Sequence, residues 1–186
     1  MKLTDHYLPE YSFREIHSCS VQALPATVIR AAAEYQPEGD PFFRRMIGLR
    51  ELPMRIGRYF QNQQAEPQPA FGLHNFVLLE QQEHALAYGL IGRFWRLDFG
   101  LIPVADGQAY RHFDMAGVAK LVLSFSAMLQ PDGTTKLETE TRVFCPDFAS
   151  RFKFTPYWYL IRPVSGLIRG RILASVKNAS EIRQIP

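Results

Sequence analysis

One passage near the C-terminal end constrains the fold more than any other. Residues 134–144 (TTKLETETRVF) alternate with a period of two: Leu137, Thr139, Thr141 and Val143 fall on one face, and Lys136, Glu138, Glu140 and Arg142 on the other. They run straight into residues 147–179, where Phe148, Phe152, Tyr157, Trp158, Ile161, Ile168, Ile172 and Val176 recur at helical spacing. That is too much apolar surface for a solvated helix. It must lie on something, and the sheet just before it is the nearest partner.

The rest of the chain reads as follows. Residues 11–22 alternate as a first strand, with Phe13, Glu15, His17 and Cys19 on one face. Pro25 suits the first turn of a helix over 27–35. After a Pro/Gly break, Asp40 and Pro41 open a second short helix through Phe42, Met46 and Leu49. A polar loop occupies 61–69. Strand-like runs follow at 71–80, 85–97, 100–105, 110–114 and 118–130, with Asp106-Gly107 as a hairpin turn and Pro131-Asp132-Gly133 as the turn into 134–144. Asp147 is the N-cap of the final segment. Pro156 and Pro163 inside it predict a short first turn, a main helix from about 156, and a kink or split at 163. A strand, two short helices, about six antiparallel strands and a C-terminal helix make an α+β protein in a single domain, 1–186.

Composition narrows the function classes. The chain is 47% hydrophobic, 13% aromatic and 21% charged, a globular composition. Its 186 residues are enough to bury about 70% of the unfolded surface. The net charge of +3 is spread rather than gathered into one stripe, so no nucleic-acid partner is expected. Two denser groups, Arg44/Arg45/Arg50/Arg55/Arg58 and Arg162/Arg169/Arg171/Lys177, read first as solvated faces. No apolar run reaches the ~20 residues of a membrane span, so stable membrane insertion is not expected. Residues 1–10 are polar and lack the apolar core of a secretory signal, and the two cysteines have no ligand-spaced neighbours. The expectation is a cytoplasmic protein with free thiols, no metal and no cofactor, as monomer or homodimer.

The order of elements resembles the helix-grip fold of the START and Bet v 1-like superfamily (SRPBCC, polyketide cyclase-like). Gly92-Arg93-Phe94-Trp95, Thr139-Glu140-Thr141-Arg142, the Tyr157-Trp158 pair and the run from Ser165 to Arg169 look like an uncharacterised bacterial family within it. The resemblance covers most of residues 11–180. It implies a curved antiparallel sheet wrapped around the long C-terminal helix, with two short helices after the first strand and an apolar pocket inside. It implies binding of a hydrophobic small molecule, lipid-like or aromatic, by a protein more often a carrier than an enzyme, and it carries no catalytic residue.

The expected lining is Phe94, Trp95, Phe125, Leu137, Thr139, Thr141, Tyr157, Ile161 and Ile168. Two polar groups are candidates for orienting a ligand or for acid–base work in a cyclase or hydrolase. The first is Glu138, Glu140 and Arg142, about 7 Å apart along one strand face. The simpler reading turns these charges to water and leaves Leu137, Thr139, Thr141 and Val143 under the helix. The second is His112 with Asp114, placed two residues apart so that the carboxylate can orient the imidazole. A third possibility is an interaction module whose C-terminal helix and Arg-rich second helix meet a protein or an anionic membrane surface.

Overall fold

A computed structural model describes residues 2–36, 73–96 and 98–183 of the chain. The helix expected from Asp40 and Pro41 and the polar loop at 61–69 lie outside these residues. Five strands form one antiparallel sheet: β1 (Phe13–Val21), β2 (Val77–Gln81), β3 (Ala85–Gly92), β4 (Ala119–Leu129) and β5 (Thr135–Phe144). Their order across the sheet is β1-β5-β4-β3-β2. The first strand therefore closes onto the last, with Phe13 opposite Val143 and Val21 opposite Thr135.

The helices are α1 (Leu3–Tyr7), α2 (Pro25–Glu34), α3 (Gly107–His112) and α4 (Phe148–Ile182). The sheet and the 35-residue α4 make the α+β arrangement read from the sequence. No helix among the described residues is long and apolar enough to cross a membrane.

Each face of the sheet has its own core. On the inner face, register sets Leu121, Leu123, Phe125 and Ala127 of β4 beside Val143, Thr141, Thr139 and Leu137 of β5. Buried residues of α2 (Val28, Ile29, Ala32) and of α4 (Phe154, Trp158, Ile161, Ile172, Val176) complete this cluster. Leu137, Thr139, Thr141 and Val143 thus lie under the helices, as the simpler reading of the alternation has it.

The outer face carries Ile91, Val122, Leu79 and Ala87, covered by Leu3, Tyr7 and Leu8 from the N-terminal segment and by Tyr110 of α3. Tyr110 lies so close to β3 that a Cβ on Gly89 would stand 2.8 Å from its ring, which is why a glycine sits there. The Tyr7 hydroxyl donates to the Leu79 carbonyl (3.1 Å) and to Glu80 (2.9 Å).

Three local expectations need correction. The Asp106-Gly107 hairpin is the start of α3 instead: the Asp106 carboxylate accepts from the Ala109 amide at 2.8 Å. The same dipeptide suits a tight turn or an N-cap, and burial of Tyr110 decides for the helix. Residues 110–114 are accordingly not a strand, and 101–104 run as irregular chain.

The C-terminal helix is neither split nor delayed to Pro156. It begins at Phe148, N-capped by Asp147 as expected, and passes through both prolines. Each proline removes one helical hydrogen bond to the residue four before it. Those residues, Phe152 and Tyr159, are exposed, as are the prolines themselves, so water can take the orphaned carbonyls. The first residues also hold a helix the polar reading missed: α1 is short, but Leu3 and Tyr7 bury its apolar side.

Candidate functional site

Where α4 crosses the sheet, aromatic rings gather around Phe154, which is 1% exposed. Its ring centroid lies 5.0 Å from Phe13, 5.6 Å from Tyr157, 6.0 Å from Trp158, 6.2 Å from Phe94 and 6.4 Å from Trp95. Beside this group is a cavity of about 70 Å³. Its walls come from β3 and the loop after it (Leu90, Phe94), from β4 and β5 (Leu121, Leu123, Thr141), from Phe76, and from α4. The α4 contribution runs at helical spacing through Phe154, Tyr157, Trp158, Ile161, Ser165 and Arg169.

The cavity has a polar end. Ser165, Arg169 and Thr141 lie on its wall, and Thr141 is the cross-strand partner of Glu15. Glu15 is 7% exposed. Its Oε1 is 2.8 Å from His17 Nε2, and its Oε2 faces Arg169 Nη1 at 3.8 Å. The second distance is an ion pair but too long for a hydrogen bond. Glu15 Oε2 and the hydroxyls of Thr139 and Thr141 are buried with no hydrogen-bond partner among the described residues.

Above them Gly166 leaves room. A Cβ there would stand 3.6 Å from Glu15 Oε1 and from the His17 ring, in ordinary contact, whereas a longer side chain would reach the pair itself. The polar end therefore has the Thr141 and Ser165 hydroxyls and the Arg169 guanidinium on the cavity wall, with the Glu15 carboxylate and the His17 imidazole next to them. Such a set can donate to and accept from the polar head of a small molecule. The Glu15–His17 pair has the separation needed to pass a proton.

Of the lining residues named from the sequence, Phe94, Thr141, Tyr157 and Ile161 border the cavity. Phe125, Leu137, Thr139 and Ile168 are buried on the same face, and Trp95 packs against it. Glu138, Glu140 and Arg142 lie on the opposite face, where Glu138 is half-buried but the other two do not point to water. Glu140 is 2% and Arg142 5% exposed, under the N-terminal segment.

Arg14 Nε and Arg142 Nε each donate to Glu140 Oε1 at 2.7 Å, and Arg142 also reaches Asp5 (2.7 Å) and the Leu8 carbonyl (3.2 Å). Lys2 bridges Glu138 (2.6 Å) and Glu140 (3.5 Å). Burial alone would raise the pKa of Glu140; the hydrogen bonds from Arg14 and Arg142 outweigh it and hold the carboxyl below its usual range. This network clamps the N-terminal segment to the sheet, away from the cavity.

His112 and Asp114 do not share a strand face either. His112 ends α3, exposed, with Nδ1 2.9 Å from the Gln108 carbonyl, and Asp114 lies in the following loop.

The residues that sequence reasoning underweighted are Glu15, His17, Ser165 and Arg169. The signal was present in the alternation, which puts Glu15 and His17 on the face of Phe13 and Cys19. It was present in α4 too, where Ser165 and Arg169 follow Ile161 at four-residue steps. What the alternation lacked was the pairing of β1 with β5, which sets them side by side. Neither protein-family models nor curated proteins gave any match to this chain.

Proposed function

We propose that the protein binds a small hydrophobic molecule, aromatic or lipid-like, between the sheet and α4, with the ligand's polar end at Glu15, His17 and Arg169. The proposal includes membership of the helix-grip, START and Bet v 1-like superfamily, on the element order and sequence words given above. One observation carries it: the buried Thr141 hydroxyl on the wall of an aromatic-lined cavity has no hydrogen bond, nor has the Glu15 carboxylate oxygen on the strand position opposite it. A core built only for stability avoids such groups, because each unpaired one costs about 1–3 kcal/mol.

Size shapes the reading. Pockets for drug-sized ligands span ~300–1,000 Å³, well above the cavity's about 70 Å³. A ligand must be smaller than that class or must displace Tyr157 or Trp158 from the wall. A compact aromatic acid or alcohol fits this better than an extended acyl chain.

Thr141→Val separates function from structure. It deletes a buried, unpartnered hydroxyl at nearly constant shape, so the ligand-free protein should gain about 1 kcal/mol of stability. Affinity for polar-headed probes should fall at the same time. Titration with anilinonaphthalenesulfonate and with 2-naphthoic acid, alongside urea unfolding, reads both quantities. Ile161→Trp, which fills the cavity, should abolish probe binding. Probe binding unchanged in both variants would refute the reading.

A second reading rests on the Glu15–His17 pair at 2.8 Å. A cyclase or hydrolase on this scaffold would use that pair as acid and base, because Glu138, Glu140, Arg142, His112 and Asp114 lie away from the cavity.

A further inference from the structure

Helix α4 turns its aromatic residues two ways. Phe154, Tyr157, Trp158 and Ile161 face the sheet, while Phe148 (82% exposed), Phe152 (70%), Tyr159 (64%), Leu160 (56%) and Leu167 (58%) face outward. At 3.6 residues per turn these outward residues, with exposed Pro156 and Pro163, fall within about a 120° arc. The Phe148 and Phe152 rings stack at 6.1 Å, forming a continuous apolar knob at the start of the helix. Thirteen per cent aromatic content does not require them there, and among the described residues none of them belongs to the inner core.

Charge says what covers this face. Between Phe148 and Ser180 the helix has no Asp or Glu but carries Arg151, Lys153, Arg162, Arg169, Arg171 and Lys177. Four of these are exposed and flank the apolar arc, Arg151 and Arg162 along one side, Lys153 and Arg171 along the other. An apolar strip bordered on both sides by cations, without an anion, matches an interface with acyl chains below and phosphates around it. A second copy of the same face would bring two cationic rims together, which disfavours self-association through it.

We propose that the outer face of α4 docks on the surface of an anionic phospholipid bilayer. The helix lies in the plane of the interface, with Phe148, Phe152, Tyr159, Leu160 and Leu167 among the acyl chains and the basic residues at the phosphates. This docking stands apart from the cavity, whose lining is on the opposite side of the same helix. It would nevertheless set the cavity wall next to a reservoir of hydrophobic molecules.

Flotation of the full chain tests it, with vesicles of phosphatidylcholine alone and of phosphatidylcholine and phosphatidylglycerol in equal parts. The protein should float with the anionic vesicles at low ionic strength, release as salt rises, and ignore the neutral ones. Phe148→Ser and Phe152→Ser should each weaken partitioning about tenfold. Arg151→Glu should weaken it by at least about fivefold. Leu167→Ser keeps the test available should a change near the helix start disturb folding. All of these variants should keep the probe affinity of the cavity.

No flotation with anionic vesicles at low salt would overturn the proposal. So would flotation indifferent to all three apolar substitutions, since the contact would then be charge from elsewhere. Flotation lost in Ile161→Trp but kept in Phe152→Ser would place the lipid in the cavity and overturn it as well. A concentration-dependent rise in mass by light scattering, abolished by Phe148→Ser and unaccompanied by vesicle binding, would assign the face to a second copy.

Discussion

Glu140 gathers three cations on the outer face, and its surroundings fix what its loss should do. It is buried with two guanidinium donors at 2.7 Å and with Lys2 at 3.5 Å. Glu140→Gln removes one of the two carboxylates 2.7 Å from buried Arg142, the more buried of the pair, and should cost about 3 kcal/mol in urea unfolding. Replacing both Glu140 and Arg142 by Leu should recover much of that loss, because desolvation offsets most of what such pairs contribute.

The pH dependence has a definite sign. Asp5, through its hydrogen bond from Arg142, and Glu138 and Glu140, where hydrogen bonds from basic partners outweigh desolvation, all have folded pKa values below the unfolded ones. Their contribution is present at neutral pH and is lost as pH falls below about 4. Acid unfolding should therefore start earlier in wild type than its neutral-pH stability suggests, and Glu140→Gln should flatten that limb. The alternation in 134–144 made the two faces of this strand legible. It could not show that the charged face is roofed by residues 2–8, because a five-residue helix leaves little periodic trace.

Helix α4 was the most legible element, and its start depends on one side chain. Asp147 accepts from the Ser150 amide at 2.8 Å as N-cap and from the Gly117 amide at 2.7 Å, tying the loop before β4 to the helix. Asp147→Ala should cost about 1–2 kcal/mol, measured by thermal or urea unfolding, and should loosen the Gly117 loop in hydrogen exchange. The prolines were legible as residues but not in their effect. Whether a proline breaks a helix depends on what can satisfy the freed carbonyl, and here both prolines and the residues four before them are exposed. Asp106-Gly107 shows the opposite failure: a correct local signal with two outcomes, resolved only by the burial of Tyr110 against Gly89.

At the scale of the whole molecule, function depends on contacts the chain makes over long separations. Glu15 meets Thr141 and Arg169 because β1 is paired with β5 and covered by α4. Neither pairing has a sequence period of its own, so the inner polar group stayed hidden while its members were in plain view. The same architecture gives α4 two apolar faces, one closing the cavity and one turned to the outside. The central claim is that the inner hollow holds a hydrophobic ligand by its polar end. Native mass spectrometry of freshly purified protein, with organic extraction of whatever is released, tests it most directly. The account predicts a one-to-one complex with a small apolar molecule, absent from Ile161→Trp and weakened in Thr141→Val. A bare protein mass for wild type that stays bare after incubation with 2-naphthoic acid, a compact aromatic acid, would contradict it.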